Sequence, residues 1–348
     1  MHHIHLAGSG KSFDAGPEET VLAASRRAGL ALPYSCLAGN CGSCKARLLQ
    51  GQCAYPYNPP SALSTAEREH GEVLLCQAVA LSDLSLEIRE VEAVRGIPIC
   101  RMQVQLEERR LLAPDVAELV LAPLSAAPLR YLPGQYLDVL LEDGKRRAFS
   151  IANAPRDDGR LFLHVRRVQG GGFTQRVFEV LAIGARLDIE APLGTFVPRA
   201  GSDRPVLFVA GGTGFAPIKA ILEHLFASDT QRPIHLYWGA RHAEDLYLDA
   251  LCTDWQQRQR HFRYVPVLSE ASSLEQRAYR HGLVHAAVLS DFPELKHFDV
   301  YMSGPPALIE AARRAFASAG LPEDRLYYDS FDYAPDVLAA LIRARAGV

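Results

Sequence analysis

The chain has 348 residues, 48% of them hydrophobic and 22% charged, with a formal net charge of −3. That length predicts two or three domains, and the composition is that of an ordinary folded protein. A weakly acidic chain has no basic field to recruit nucleic acid, no apolar run reaches the length of about eighteen residues that a membrane span needs, and the N-terminus lacks an apolar signal core.

The first unit is expected over residues 1–93. Met1-His2-His3-Ile4-His5-Leu6 reads as an edge strand, and its histidines as an exposed strand face rather than metal ligands. Gly8-Ser9-Gly10-Lys11-Ser12 echoes a phosphate-binding Walker loop, but the required first glycine falls at His5, so a hairpin turn is the better reading. A helix is predicted near Thr20–Gly29, capped by Thr20 and ended by Gly29. Strands over Cys44–Leu49 and Leu84–Val91 complete the unit.

Between that helix and the second strand lies Cys36-Leu-Ala-Gly-Asn-Cys41-Gly-Ser-Cys44, followed after thirty-one residues by Cys76. The C-x4-C-x2-C…C spacing is that of a plant-type ferredoxin, whose four thiolates hold one [2Fe–2S] cluster. Three thiolates must turn inward from one tight loop, and Gly39 and Gly42 permit the positive φ and close backbone approach this requires. A disulfide framework fits poorly with a long chain and seven cysteines, a zinc site would show paired C-x2-C knuckles, and a thioredoxin-like pair would leave Cys36 and Cys76 unexplained. Cys53, Cys100 and Cys252 fit no ligand spacing and are expected as buried small apolar residues. A reduced, cytoplasmic setting suits thiolate ligands.

Residues 94–100, with Gly96 and Pro98 and no helical period, read as a linker. From 101 to 200, short strands recur at Met102–Glu107, Val116–Ala122, Gln135–Leu141, Arg147–Ile151, Leu161–Arg167 and Arg186–Glu190, the signature of a small antiparallel barrel. The pattern changes in the last unit, 203–348, to strands at Val206–Val209, Ile234–Trp238, Phe262–Leu268 and Val300–Ser303, with helices through Phe226 and over Pro305–Ala319. Alternation of that kind predicts a parallel, doubly wound sheet. Gly211-Gly212-Thr213-Gly214 opens the first of those helices, where backbone N–H groups and the helix dipole suit a pyrophosphate. Taken alone it is equally a plain strand-to-helix turn. A second turn, Ser303-Gly304-Pro305-Pro306, ends a later strand, and two such turns at strand ends build one crevice for a dinucleotide. Arg147-Ala148-Phe149-Ser150 can pair a guanidinium with a phosphate and lay an aromatic on a ring, and Gly171-Gly172-Phe173-Thr174 can offer amides to the same pyrophosphate. The plainer alternative for both is a strand end and an N-capping threonine.

Nearly the whole chain resembles the iron–sulfur flavoprotein reductases of the ferredoxin–NADP reductase superfamily, in particular single-chain reductase components of bacterial oxygenases and the reductase of CDP-6-deoxyhexose biosynthesis. The resemblance implies a multi-domain fold: a β-grasp [2Fe–2S] ferredoxin domain, an antiparallel β-barrel FAD domain and an α/β parallel-sheet NAD(P)-binding domain. It implies Cys36, Cys41, Cys44 and Cys76 on the cluster, Arg147 on the FAD pyrophosphate, Phe149 against the isoalloxazine and Ser150 near flavin N5. Ala148, His164-Val165-Arg166 and Gly171 to Thr174 would complete the flavin site, and Gly211 to Gly214 with Ser303 to Pro306 would hold the nicotinamide dinucleotide. Phe331, in Tyr-Tyr-Asp-Ser-Phe331, resembles the aromatic that shields the flavin face. Ser303 stands where many relatives have cysteine, and Phe149 where many have tyrosine, which implies looser flavin binding. The electron acceptor implied is an oxygenase or dehydrase component docking near Leu37–Ser43. NADH is favoured and NADPH possible, since Arg241 and the acids Glu244 and Asp245 send opposite signals. Free flavin reduction and a non-enzymatic redox carrier are the rival functions.

Overall fold

The computed structural model describes residues 1–56, 59–125, 128–168, 172–228 and 230–331. They form two compact units, the first from Met1–Pro98 with Gly194–Phe196, the second from Ile99–Leu193 and the described part of Val197–Val348.

The first unit is built on a five-stranded sheet of order β2-β1-β7-β3-β5, from β1 (His2–Leu6), β2 (Ser12–Ala15), β3 (Lys45–Gln50), β5 (Glu72–Leu74) and β7 (Leu84–Glu87). A small ribbon pairs β4 (Cys53–Ala54) with β6 (Val79–Ala80). The turn at Gly8–Lys11 folds β2 back antiparallel on β1, while β7 pairs with β1 in parallel. The N-terminal strand is therefore interior, not the edge its sequence suggested, because the hairpin covers one flank and β7 the other. Ile4 and Leu6 point into the core with Phe13, Leu22, Leu74, Leu75 and Leu86, while His3 and His5 pair outward with Asp14 and Ser12. Helix α1 (Val21–Arg27) starts where Thr20 Oγ1 accepts the Ala23 N–H, and the chain leaves it through Gly29 at φ 75°. Helix α2 (Thr65–Glu69) carries a capping box between Ser64 and Glu67. Partial burial pushes the Glu67 carboxyl up, but Lys45 and the Ser64 donors outweigh it and hold the group at about 2.

In the second unit six antiparallel strands run in the order β11-β10-β13-β8-β9-β12: β8 (Cys100–Ala113), β9 (Val116–Pro123), β10 (Tyr136–Leu140), β11 (Arg146–Ser150), β12 (Leu161–Arg166) and β13 (Arg186–Leu193). A bridge between Ile151 and Leu163 joins the two outer strands, so the sheet closes into a barrel around Val104, Leu119, Leu137, Val139, Leu163 and Ile189. Helix α3 (Gly172–Glu179) packs Phe173 and Val177 onto that core. The remainder of the unit is a six-stranded parallel sheet of order β17-β16-β15-β14-β18-β19. Its strands are β14 (Val206–Gly211), β15 (Ile234–Ala240), β16 (Phe262–Leu268), β17 (Arg280–His281), β18 (Asp299–Gly304) and β19 (Leu326–Ser330), with helices α4 (Phe215–Ala227), α5 (Asp249–Arg258), α6 (Val284–Asp291) and α7 (Pro306–Ser318). Both β14 and β18 are buried at every position, as a central parallel strand covered on two faces must be. In this sheet, helices α5 and α6 and strands β17 and β19 were not anticipated. Of the three extra cysteines only Cys252 is buried; Cys53 is half-buried, and Cys100 is exposed at the first position of its strand, its sulfur 3.5 Å from Ala191 O. Among the described residues no helix is long and apolar enough to cross a membrane.

Candidate functional site

The cysteine loop lies between α1 and β3, and Cys76 follows β5. Cys41, Cys44 and Cys76 are buried and Cys36 is half-buried. The four thiols stand as two hydrogen-bonded pairs, Cys36 with Cys41 and Cys44 with Cys76. The Cys41 thiol holds Cys36 down at about 6, and the Cys44 thiol likewise lowers Cys76. Backbone amides turn onto the sulfurs, Ala38 N to Cys36 Sγ and Ser43 N to Cys41 Sγ, each at 3.4 Å. Gly39, at φ 80°, leaves no room for a side chain: a Cβ there would stand 2.7 Å from Pro60 Cβ. Among the described residues no three metal-binding side chains converge on one point, as a single ion would need. Two pairs of thiols match the donor count of a two-iron group.

On the barrel, Arg147 and Phe149 alternate along β11 and share one face, while Ala148 is exposed on the other. Phe149 lies against Phe173 with ring centroids 5.6 Å apart. Gly172 opens α3 with free space where a Cβ would be, and the Thr174 hydroxyl folds back on Val168 at 3.2 Å. Thr174 thus sits inside the first turn of the helix rather than capping it. Gly171 lies outside the described residues. Val165 faces the barrel core, whereas the His164 side chain points the opposite way, its Nδ1 3.1 Å from the Tyr247 hydroxyl and its Nε2 3.6 Å from Glu118. Arg166 reaches Asp115 at 2.8 Å and Asp245 at 3.4 Å through Nη1, while its Nε and Nη2 are buried without a partner among the described residues. Lys219 of α4 ties the same seam together, donating to Ala152 O at 3.0 Å and to Glu223 at 2.6 Å.

The two glycine turns sit side by side. Strands β14 and β18 are parallel neighbours with Ala210 opposite Ser303. A Cβ on Gly304 would meet Gly211 Cα at 3.0 Å, and one on Gly211 would meet Pro305 Cδ at 2.9 Å. Gly214 lies still closer, its missing Cβ 2.0 Å from Ser303 O. Gly212 and Thr213 form a tight turn into α4, where the Phe215 N–H bonds back to Gly212 O and Thr213 O and no side chain caps the helix. Trp238 braces the turn by donating to Gly212 O at 3.0 Å and stacking on Phe215 at 4.1 Å.

Ser150, Ser303 and Phe331 are brought together by a residue the sequence did not single out. Asp329 is paired with Ser303 across β18 and β19, and its Oδ2 lies 3.5 Å from Ser150 Oγ. The next-but-one residue, Phe331, donates its N–H to Gly304 O at 2.9 Å. Asp329 and both serines are buried, and Ser303 Oγ has no partner among the described residues.

Three domain families match consecutive parts of the chain: the 2Fe-2S iron-sulfur cluster binding domain over residues 4–81, the oxidoreductase FAD-binding domain over 103–197 and the oxidoreductase NAD-binding domain over 208–314. The CDP-6-deoxy-L-threo-D-glycero-4-hexulose-3-dehydrase reductase of Yersinia pestis is 37% identical over 94% of this chain and 98% of its own. The chain belongs to the single-chain iron–sulfur flavoprotein reductases. Similar too are reductase component 1 of terephthalate 1,2-dioxygenase from Comamonas, 35% identical over 96% of this chain and 98% of its own, and the crystal structure of Amycolatopsis cytochrome P450 reductase GcoB. The latter is 32% identical, with a TM-score of 0.76, and the match covers 95% of this chain and 99% of that one.

The reductase accordingly uses a [2Fe–2S] cluster, FAD and a nicotinamide dinucleotide, and its residues fit all three. Two thiolate pairs suit the cluster, and the orphaned Arg166 nitrogens suit an anion such as a flavin phosphate. The two glycine turns abut where a Cβ on Gly211, Gly214 or Gly304 would collide, while Gly212 faces open space on the side left to a dinucleotide. Asp329 escaped sequence reasoning because it sits 179 residues from Ser150. Its only local signal was a lone acid in an aromatic strand end. Tyr247, Glu118 and Lys219 carried no signal, since buried polar partners across a seam have no fixed spacing.

Proposed function

We propose that this reductase takes a hydride from NADH at a centre formed by Ser150, Ser303, Asp329 and Phe331, and delivers single electrons from Cys36–Cys44 and Cys76 to a separate protein. When bound, FAD would supply the hydride acceptor and the cluster a single-electron carrier, of potential about −400 mV in the ferredoxin type. Ser150, whose hydroxyl donates to Asp329, would turn that hydrogen to the reducing flavin edge when FAD binds, Ser303 would face the nicotinamide, and Phe331 would cover the flavin until the nicotinamide enters. Arg147, Phe149 and Gly172 to Thr174 would seat FAD, while Gly211 to Gly214, Gly304 and Pro305 would hold the dinucleotide. The observation that carries this reading is the meeting of Ser150 and Ser303 at Asp329, which joins a barrel strand to the end of the parallel sheet.

The acceptor we propose is an oxygenase or dehydrase component docking on the loop Leu37–Ser43, as the names of the relatives suggest. That loop, the stretch from Ala28 to Cys44 and the stretch from Leu48 to Ala66 contain no ionisable side chain other than cysteine and tyrosine, which favours a small, transient contact with little electrostatic steering. Carboxylates Asp245, Glu270 and Glu275 border the turn after β15, bonding respectively to His242 N, lying 3.8 Å from His242 Nε2 and bonding to Ala243 N. They favour a free ribose hydroxyl over a 2′-phosphate, hence NADH. Cys41→Ser tests the route. It should keep NADH-dependent flavin bleaching and ferricyanide reduction while cytochrome c reduction falls at least about tenfold, a loss of about 1.4 kcal/mol in transition-state terms. Undiminished cytochrome c reduction would mean that electrons leave from the flavin, as in a free flavin reductase.

A further inference from the structure

One side chain beside the cysteine loop has no part in the roles above. Gln77 directly follows the fourth cysteine, and its Nε2 donates to the carbonyl oxygen of Leu37 at 2.9 Å, linking residues 40 apart in the chain. Leu37 is the one non-glycine residue with positive φ, 57°, among the described residues. Side chains disfavour that conformation, so something must hold it. It is also the conformation that precedes the Ala38 N–H directed at Cys36 Sγ. The same carboxamide stands near enough to the Cys76 sulfur to help lower that thiol, the least of the causes acting on it. A primary amide has two hydrogens and can serve both acceptors at once. Its stem is fixed as well, since Gly39 passes so close that a Cβ there would lie 2.9 Å from Gln77 Cγ.

We propose that Gln77 is a positioning residue of the cluster site, a staple that joins the segment of the first ligand to that of the fourth and sets the reduction potential and lifetime of the cluster. This rests on the cluster reading of the four cysteines. An N–H donor to a thiolate stabilises the more negative, reduced form and so raises the potential. Holding Leu37 in its turn keeps the Ala38 amide on Cys36.

The test is Gln77→Met in the full-length, cluster-loaded protein, which keeps the length and apolar stem and removes both donors. Reductive titration followed by EPR should place the cluster potential lower, by about 59 mV if the reduction equilibrium weakens tenfold for one electron. Loss of the visible cluster absorbance in air should be several-fold faster. An unchanged potential with an unchanged lifetime overturns the proposal. Should the variant not retain a cluster, wild-type protein carrying ¹⁵N in its glutamine side chains supplies the readout: pulsed EPR of the reduced cluster should show a weak ¹⁵N coupling, and its absence overturns the proposal. A wild-type protein with no cluster signal at all would refute the cluster reading itself, a different result.

Discussion

Gly214→Ala is a severe test of how the two glycine turns fit together. The new Cβ would stand 2.0 Å from Ser303 O, 2.4 Å from Ser303 C and 2.7 Å from Gly304 N. A carbon–oxygen contact settles at about 3.3 Å, so roughly 1.3 Å of relief is needed. Neither side can yield cheaply. Ser303 is bonded into β18 between β14 and β19, and the turn is tied to Trp238 through Gly212 O. Overpacking against fixed backbone costs about 1–3 kcal/mol, and this contact belongs at the upper end. For a unit of this size about 3 kcal/mol lowers the melting temperature by about 6–12 °C. Because the displaced turn is also the proposed dinucleotide cradle, KM for NADH should rise as well. Calorimetry of the FAD-loaded protein and steady-state kinetics read both effects. Two controls calibrate them: Gly212→Ala, at φ 53° with open space, should cost about 1–2 kcal/mol, and Gly8→Ala, outside the site with no positive φ and its nearest contact at 4.0 Å, should be close to neutral. A Gly214→Ala protein with wild-type melting and KM would refute the packing of the two turns.

Burial holds the His164 imidazole below the ordinary histidine range of about 6.5, with Glu118 only partly opposing it. The unfolded chain therefore takes up a proton that the folded chain refuses. Stability of the second unit should fall as the pH drops below about 6.5, by up to about 1.4 kcal/mol per pH unit. Denaturant titrations at about pH 7 and pH 5.5 should show this loss reduced in His164→Gln, and an identical slope in both proteins would count against it. On cofactor choice, kcat/KM should favour NADH, and a preference for NADPH above about tenfold would overturn the acidic-turn argument. Phe149 offers no hydroxyl to the flavin, so FAD should dissociate on dilution and Phe149→Tyr should retain it better; stoichiometric FAD after gel filtration at nanomolar protein would contradict this.

What could be read from the sequence was what has a fixed spacing. The cysteine spacing, the glycine turns and the alternation of strand and helix are local patterns; the structure pairs the four thiols and sets two glycine turns side by side at strand ends. The interior position of β1 was not legible, because a strand does not carry the identity of its neighbours, and β7 arrives from 78 residues away. Nor was Asp329, whose meaning comes only from its register opposite Ser303. The direction of the His164 ring was not legible for a related reason: Tyr247 and Glu118, distant in the chain, decide where it points. Gln77 likewise looked like a passenger beside a ligand until Leu37 came into reach.

The most direct test of the electron route is an anaerobic titration of the cluster-intact protein with NADH, followed by absorbance and EPR. The account predicts flavin bleaching together with a rhombic signal of the reduced [2Fe–2S] cluster, the latter lost in Cys41→Ser. Flavin reduction with a cluster that stays silent in the wild-type protein would contradict it.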